Sequence, residues 1–121
     1  MPHLLWYDED DENYKDKLEQ LLKISNPKEV IKKAQHYFNN PNIKVYLSNR
    51  KSKKYAIYDP NNKKLIHFGQ FDPPMQDYTK HKDDKRRQNY LLRTANIRGS
   101  WKNDKYSANN LARVLLWDAD F

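Results

Sequence analysis

Three observations predict an α+β fold. Apolar residues recur at helical spacing over residues 11–38, the period changes to two from Ile43, and a proline loop at 72–74 separates the strands from a charged, helix-forming run. The predicted order is an N-terminal αα-hairpin, a three-stranded antiparallel β-meander, then two C-terminal helices packed on the sheet. Residues 1–42 read as a helical extension and residues 43–121 as a basic core domain.

Residues 1–12 begin apolar (Leu4, Leu5, Trp6, Tyr7) and turn acidic (Asp8 to Glu12). Such a plug is expected to dock on its own domain or on a partner. Tyr14, Leu18, Leu21 and Leu22 then fall at i, i+4, i+7 and i+8, one face of a helix. The acids at its start suit the positive end of the helix dipole. Asn26, Pro27 and Glu29 read as a second helix start, with Asn26 as cap and Glu29 reaching back to it. Val30, Ile31, Ala34, Tyr37 and Phe38 form its apolar stripe, and Asn39-Asn40-Pro41 stops it.

From Ile43 the apolar residues Ile43, Val45 and Leu47 alternate with Lys44, Tyr46 and Ser48, a half-buried strand. A basic turn from Asn49 to Lys53 leads to a second strand with Tyr55 and Ile57 on one face. Asp59-Pro60-Asn61-Asn62 is turn chemistry. Lys64 to Phe68 makes the third strand, closed by Gly69. Asp72-Pro73-Pro74 excludes helix and central strand. One long helix is expected from Thr79 or Lys80 to about Asn96, and Ser107 caps a last short helix carrying Leu111, Val114, Leu115 and Trp117.

With 13% aromatic residues the chain is not the aromatic-poor composition of a disordered one, although 32% of it is charged. It has no cysteine, which excludes disulfides and thiolate metal sites. No apolar run approaches a membrane span, and the start lacks the basic and apolar regions of a signal peptide, so an intracellular protein is expected.

The net charge of +7 is unevenly placed. Residues 1–24 hold seven acids and three lysines, a net of −4. Residues 44–64 hold seven basic residues and one acid, a net of +6. Residues 80–98 hold seven basic residues and two acids, a net of +5. The meander and the helix after it are therefore expected to form one electropositive face from Arg50, Lys51, Lys53, Lys54, Lys82, Arg86, Arg87 and Arg93. On a continuous helix Lys82, Arg86, Asn89 and Arg93 share a stripe suited to a phosphate backbone. Tyrosines on the neighbouring strands add stacking surfaces for bases. A three-stranded sheet on a helix also occurs in modules whose strands enter the DNA major groove.

Catalytic constellations are not expected. His3, His36, His67 and His81 have no metal-ligand spacing, and two glycines do not make a phosphate loop. Asp83-Asp84-Lys85 faintly suggests a nuclease cluster, but adjacent carboxylates on a helix point apart. No enzyme activity, cofactor or metal is assigned.

The strand-turn-strand ending in IHFG, the DYTKHKD segment, the basic helix with its tyrosine, and the closing LARVLLW carry a resemblance over residues 44–117. They resemble a small, poorly characterised protein family of nucleocytoplasmic large DNA viruses. The resemblance implies a non-enzymatic, minor structural protein carried in the virion or present in the infected-cell cytoplasm. It implies other virion or viral proteins as partners, and brings no set of functional residues. Nucleic-acid binding, DNA or RNA, through the meander and the basic helix is the alternative reading.

Overall fold

The computed structural model describes residues 4–5 and 11–121. Trp6, Tyr7 and the acids at 8–10 lie outside the described residues, so the expected plug is seen only at Leu4 and Leu5. Leu4 is buried in the core, and Leu5 makes a parallel bridge to Tyr46. Its N–H donates to Val45 O at 3.0 Å and its carbonyl accepts from Leu47 N at 2.8 Å. This stretch thus docks on its own sheet edge.

Asp11 caps α1 (Glu12–Leu22) by accepting the Asn13 N–H at 2.9 Å. Leu21 is fully buried, whereas Leu22, expected in the same stripe, is 49% exposed. α2 (Pro27–Tyr37) buries Val30, Ile31, Ala34 and Tyr37, as the helical period requires. Asn26 makes no side-chain cap there; its N–H donates to Thr79 Oγ1 at 2.9 Å. Glu29 pairs with Lys82 instead of reaching back. Asn39, with φ 47°, ends the helix in the left-handed region.

The sheet has the order β1-β2-β3, all antiparallel. β1 (Tyr46–Leu47) is shorter than the alternation predicts, β2 spans Lys53–Asp59, and β3 spans Lys64–Gln70. Tyr55 pairs with Leu47 and Phe68, and these three face the core. Ala56 pairs with Tyr46 and His67, so those three share the other face, with Tyr58 and Leu65 beyond them. None of these five is a cation. The basic residues lie at the ends of the strands and in the turns.

The long helix expected from Thr79 to Asn96 is two helices. α3 (Tyr78–His81) ends at Lys82, whose φ of 56° is left-handed. Asp83 then caps α4 (Asp84–Ala95), accepting from Lys85 N at 3.0 Å and Arg86 N at 3.2 Å. An acid whose carboxylate caps a new helix breaks the old one. Asp84 accepts a hydrogen bond from Tyr78 OH at 2.7 Å. After a 3₁₀ turn (Trp101–Asn103), Ser107 caps α5 (Ala108–Leu111), which continues as a π-helical turn (Ala112–Leu116).

Leu21, Val30, Ala34, Leu47, Tyr55, Phe68, Leu111 and Leu115 belong to one core. α2 packs directly on the π-helical turn, so the N-terminal and C-terminal helices share this core with the sheet. No helix among the described residues is long and apolar enough to cross a membrane.

Candidate anion-binding site

β2 delivers two consecutive lysines to different environments. Lys54 is only 1% exposed. Its Nζ donates to Met75 O at 2.5 Å and to Asp77 Oδ2 at 3.0 Å. Asp77 also caps α3, accepting the Thr79 N–H at 3.1 Å and the Thr79 hydroxyl. Ser25 Oγ lies 3.3 Å from Thr79 Oγ1 and 2.6 Å from Tyr55 OH. One buried polar network thus ties the α1–α2 loop, β2 and α3 together. Burial lowers the Lys54 pKa, while the charge of Asp77 and its hydrogen bond favour the ammonium. Burial, then the charge of Asp77, holds the Tyr55 phenol well above its ordinary value. The sequence reading placed Lys54 on the open basic face. Its partnership with Asp77, hidden by 23 residues of separation, puts it in the interior instead.

Lys53 points elsewhere. It pairs with Gln70 across the sheet, and both line a cavity of 270 Å³. The cavity lies among β2, β3, α4 and the last helix, with Arg93, Tyr90, Asn109 and Leu116 on its lining. Lys53, Lys54 and Arg93 are its cations, and no lining residue is Asp or Glu. The rings of Tyr90 and Trp117 stack at 4.2 Å with planes 8° apart. The Arg93 guanidinium carbon lies 5.5 Å from the Tyr90 ring centroid. Gly69 makes this junction possible. Its φ is +83°, and a Cβ there would meet Leu116 Cδ1 at 2.8 Å and the Lys54 stem at 3.2 Å.

The other expected site residues divide into two sets. Arg50 and Lys51 sit exposed in the β1–β2 turn; Lys51 Nζ is 3.8 Å from Asp72, with both side chains open to water. Arg86 is exposed in the first turn of α4, just after the break and seven residues before Arg93. Those two arginines share a face about 10 Å apart. Lys82 lies outside that helix and is paired with Glu29, 5.3 Å from the Tyr78 ring centroid. Arg87 donates through Nε to Trp117 O at 3.1 Å and through Nη2 to Asp118 O at 2.6 Å. Lys54 and Arg87 therefore tie elements of the fold together, and Lys82 is already paired at the surface. Arg50, Lys51, Lys53, Arg86 and Arg93 remain for a partner, and only Lys53 and Arg93 of these five line the cavity.

Lys17, which the sequence reading passed over, orders the basic turn. Its Nζ donates to Ser48 O at 2.6 Å, Arg50 O at 2.8 Å and Lys53 O at 2.7 Å, and sits 4.7 Å from the Phe71 ring centroid. Burial lowers its pKa from 10.5 to about 8. A signal existed: Lys17 lies three residues after Tyr14 and four before Leu21, on the inner face of α1. Gln70 follows from its strand position beside Gly69, but nothing in the local pattern marks Asn109.

His67 Nδ1 lies 2.7 Å from Ser48 Oγ, and burial followed by Arg50 and Lys17 lowers its pKa. His81 Nδ1 accepts the Asp83 N–H at 2.9 Å. Its ring stands 5.2 Å from that of Trp117, and its Nε2 is buried with no hydrogen-bond partner. Among the described residues no group of three His, Cys, Asp or Glu is arranged to hold a metal ion.

Residues 43–94 match the model of a family of unknown function, DUF5754. No curated protein and no solved structure matches the chain. The matched segment covers the three strands, α3 and nearly all of α4. It supplies Lys53, Lys54, Gly69, Gln70 and Arg93, while the cavity wall contributed by Ala108 to Trp117 lies beyond it.

Proposed function

We propose that this chain is a non-enzymatic binding protein whose exposed cations hold an anionic partner, and that the partner is nucleic acid. One observation carries this reading. Lys53 from the sheet and Arg93 from α4 line the same cavity, with no carboxylate among its lining residues. The cations of the basic turn continue from Lys53, and Arg86 continues from Arg93 along α4. Phosphate contacts of this kind give affinity and position without reading sequence. Strands laid in a groove are not part of the reading, because this face of the sheet carries Tyr46, Ala56, His67, Tyr58 and Leu65, and the β2 lysine beside them, Lys54, is buried on Asp77. The setting, taken from the resemblance, is the virion of a large DNA virus, where the protein serves as a minor structural component.

The test is a salt titration of binding to DNA and RNA, duplex and single-stranded. The reading expects affinity to fall steeply and linearly on logarithmic axes as salt rises. Arg86→Glu with Arg93→Glu is expected to abolish binding with the fold retained. Arg87 is left intact because it holds the chain's C-terminal carbonyls. No binding at low salt would sink the reading. The particle setting is tested separately by mass spectrometry of purified virions, where absence of the protein would remove it.

A further inference from the structure

We propose that the cavity between β3, α4 and the last helix is a pocket for a single nucleotide unit bearing a terminal phosphate. This inference rests on the nucleic-acid reading and adds a ligand class to it.

Size sets the first limit. At 270 Å³ the cavity lies just below the roughly 300–1,000 Å³ range of pockets that take drug-sized ligands. It admits one small molecule or one unit of a strand, and excludes a duplex. Charge sets the second. Lys53 and Arg93 bring unpaired positive charge, and Lys54 lies beside them. The Lys54 ammonium has three N–H donors, of which Met75 O and Asp77 Oδ2 take two. With its ammonium held there, Lys54 adds positive charge behind the cavity wall rather than a free donor. A doubly charged phosphomonoester suits this set better than the singly charged diester inside a strand. Surface chemistry sets the third limit. Phe68, Tyr90, Leu116 and Trp117 give the cavity an apolar and aromatic wall that inorganic phosphate leaves unused. The Trp117–Tyr90 stack, continued by the Arg93 guanidinium, gives the wall planar edges beside a cation, a surface suited to a flat, electron-rich body. The ligand that satisfies all three is an anionic head joined to a planar body. A free nucleoside monophosphate and the phosphorylated end of a single strand share that chemistry. The π-helical turn Ala112–Leu116 lies on the wall, a distortion frequent at functional sites.

The experiment is calorimetric titration of the full chain with four probes: inorganic phosphate, nucleosides, nucleoside 5′-monophosphates, and short single strands with and without a 5′-phosphate. The expected result is that monophosphates bind at least about ten-fold tighter than phosphate or nucleoside, about 1.4 kcal/mol. A preference of strands for their phosphorylated form places the natural ligand at a strand end; equal binding of the two forms assigns the pocket to free monophosphates. Ala108→Trp fills the cavity mouth without changing charge and is expected to remove monophosphate binding. Arg93→Gln, at an exposed position that folding does not need, is expected to weaken it by a similar factor. Lys63→Gln, in the β2–β3 turn, loses the same charge and is expected to leave it unchanged. Monophosphates binding no better than phosphate, or Lys63→Gln costing as much as Arg93→Gln, would overturn the pocket. Should strands and duplexes bind with steep salt dependence while monophosphates do not, the pocket fails and the general reading survives. Should nothing anionic bind at low salt, both fail.

Discussion

Lys53 and Lys54 are chain neighbours in two contrasting regions. Lys54 is enclosed, held by Asp77 and Met75 within a network reaching Thr79, Ser25 and Tyr55. Lys53 sits at the rim of a cavity, with Arg93 also on its lining and no acid between them. The first region turns positive charge into a tie between elements. The second leaves it for something outside the chain. The lesson is that a run of cations gains meaning only from its acceptors, and those come from distant parts of the sequence.

The sharpest way to break this contrast is Asp77→Ala. It leaves Lys54 buried without its counter-charge, and a loss of about 3–5 kcal/mol in urea denaturation is expected. Replacing both members, Lys54→Met with Asp77→Leu, is expected to recover a large part of that loss, because two apolar groups need no partners. If the single and double variants are equally destabilised, the ion pair is not what the region depends on.

Lys17→Met comes next, with an expected loss of about 1.5–3 kcal/mol from three carbonyls that lose a charged donor. Its pH dependence can be signed. The folded pKa of about 8 lies below the ordinary 10.5, so between those values the unfolded chain binds more protons. Stability from this group rises as pH goes from 8 toward 10 and is lost as pH falls back through 8. Above 10 the trend reverses, since unfolded tyrosine ionises at 10.0 while buried Tyr55 keeps its proton. Denaturation curves across this range are expected to show a steeper rise in the natural protein than in Lys17→Met, where the lowered Lys54 pKa still contributes in the same direction.

The cavity cations predict the opposite pattern. Lys53→Gln and Arg93→Gln are each expected to change stability by less than about 0.5 kcal/mol. Each is expected to flatten the salt slope of nucleic-acid binding by about 1. Loss of stability without loss of binding would move them into the structural set.

The smallest effect belongs to Arg86. Burial first, and then the Arg86 charge, lowers the His81 pKa. In Arg86→Gln the His81 titration followed by NMR is expected to move upward while staying below its ordinary value. No movement would place the guanidinium away from the ring.

The element order was legible because Val30, Ile31, Ala34 and Tyr37 keep the helical period and Val45 and Leu47 keep the strand period. The break at Lys82 was not, because Asp83 reads as one more charge in a charged run until its carboxylate is seen capping α4. Half of the candidate site was visible as basic composition in residues 44–64 and 80–98. Which cations stay open was not, since Glu29 and Asp77 pair with theirs, and the carbonyls of Trp117 and Asp118 accept from Arg87, across long separations. Ala108 and Asn109 gave no sign of lining a cavity, because that depends on how the last helix crosses β3 at Gly69.

The most direct test is an NMR titration of the ¹⁵N-labelled chain with a nucleoside 5′-monophosphate. The account predicts that the amides of Lys53, Gln70, Arg93 and Asn109 shift together and saturate at one ligand concentration. Shifts confined to Lys80 through Lys85, or spread over the surface without saturation, would contradict it.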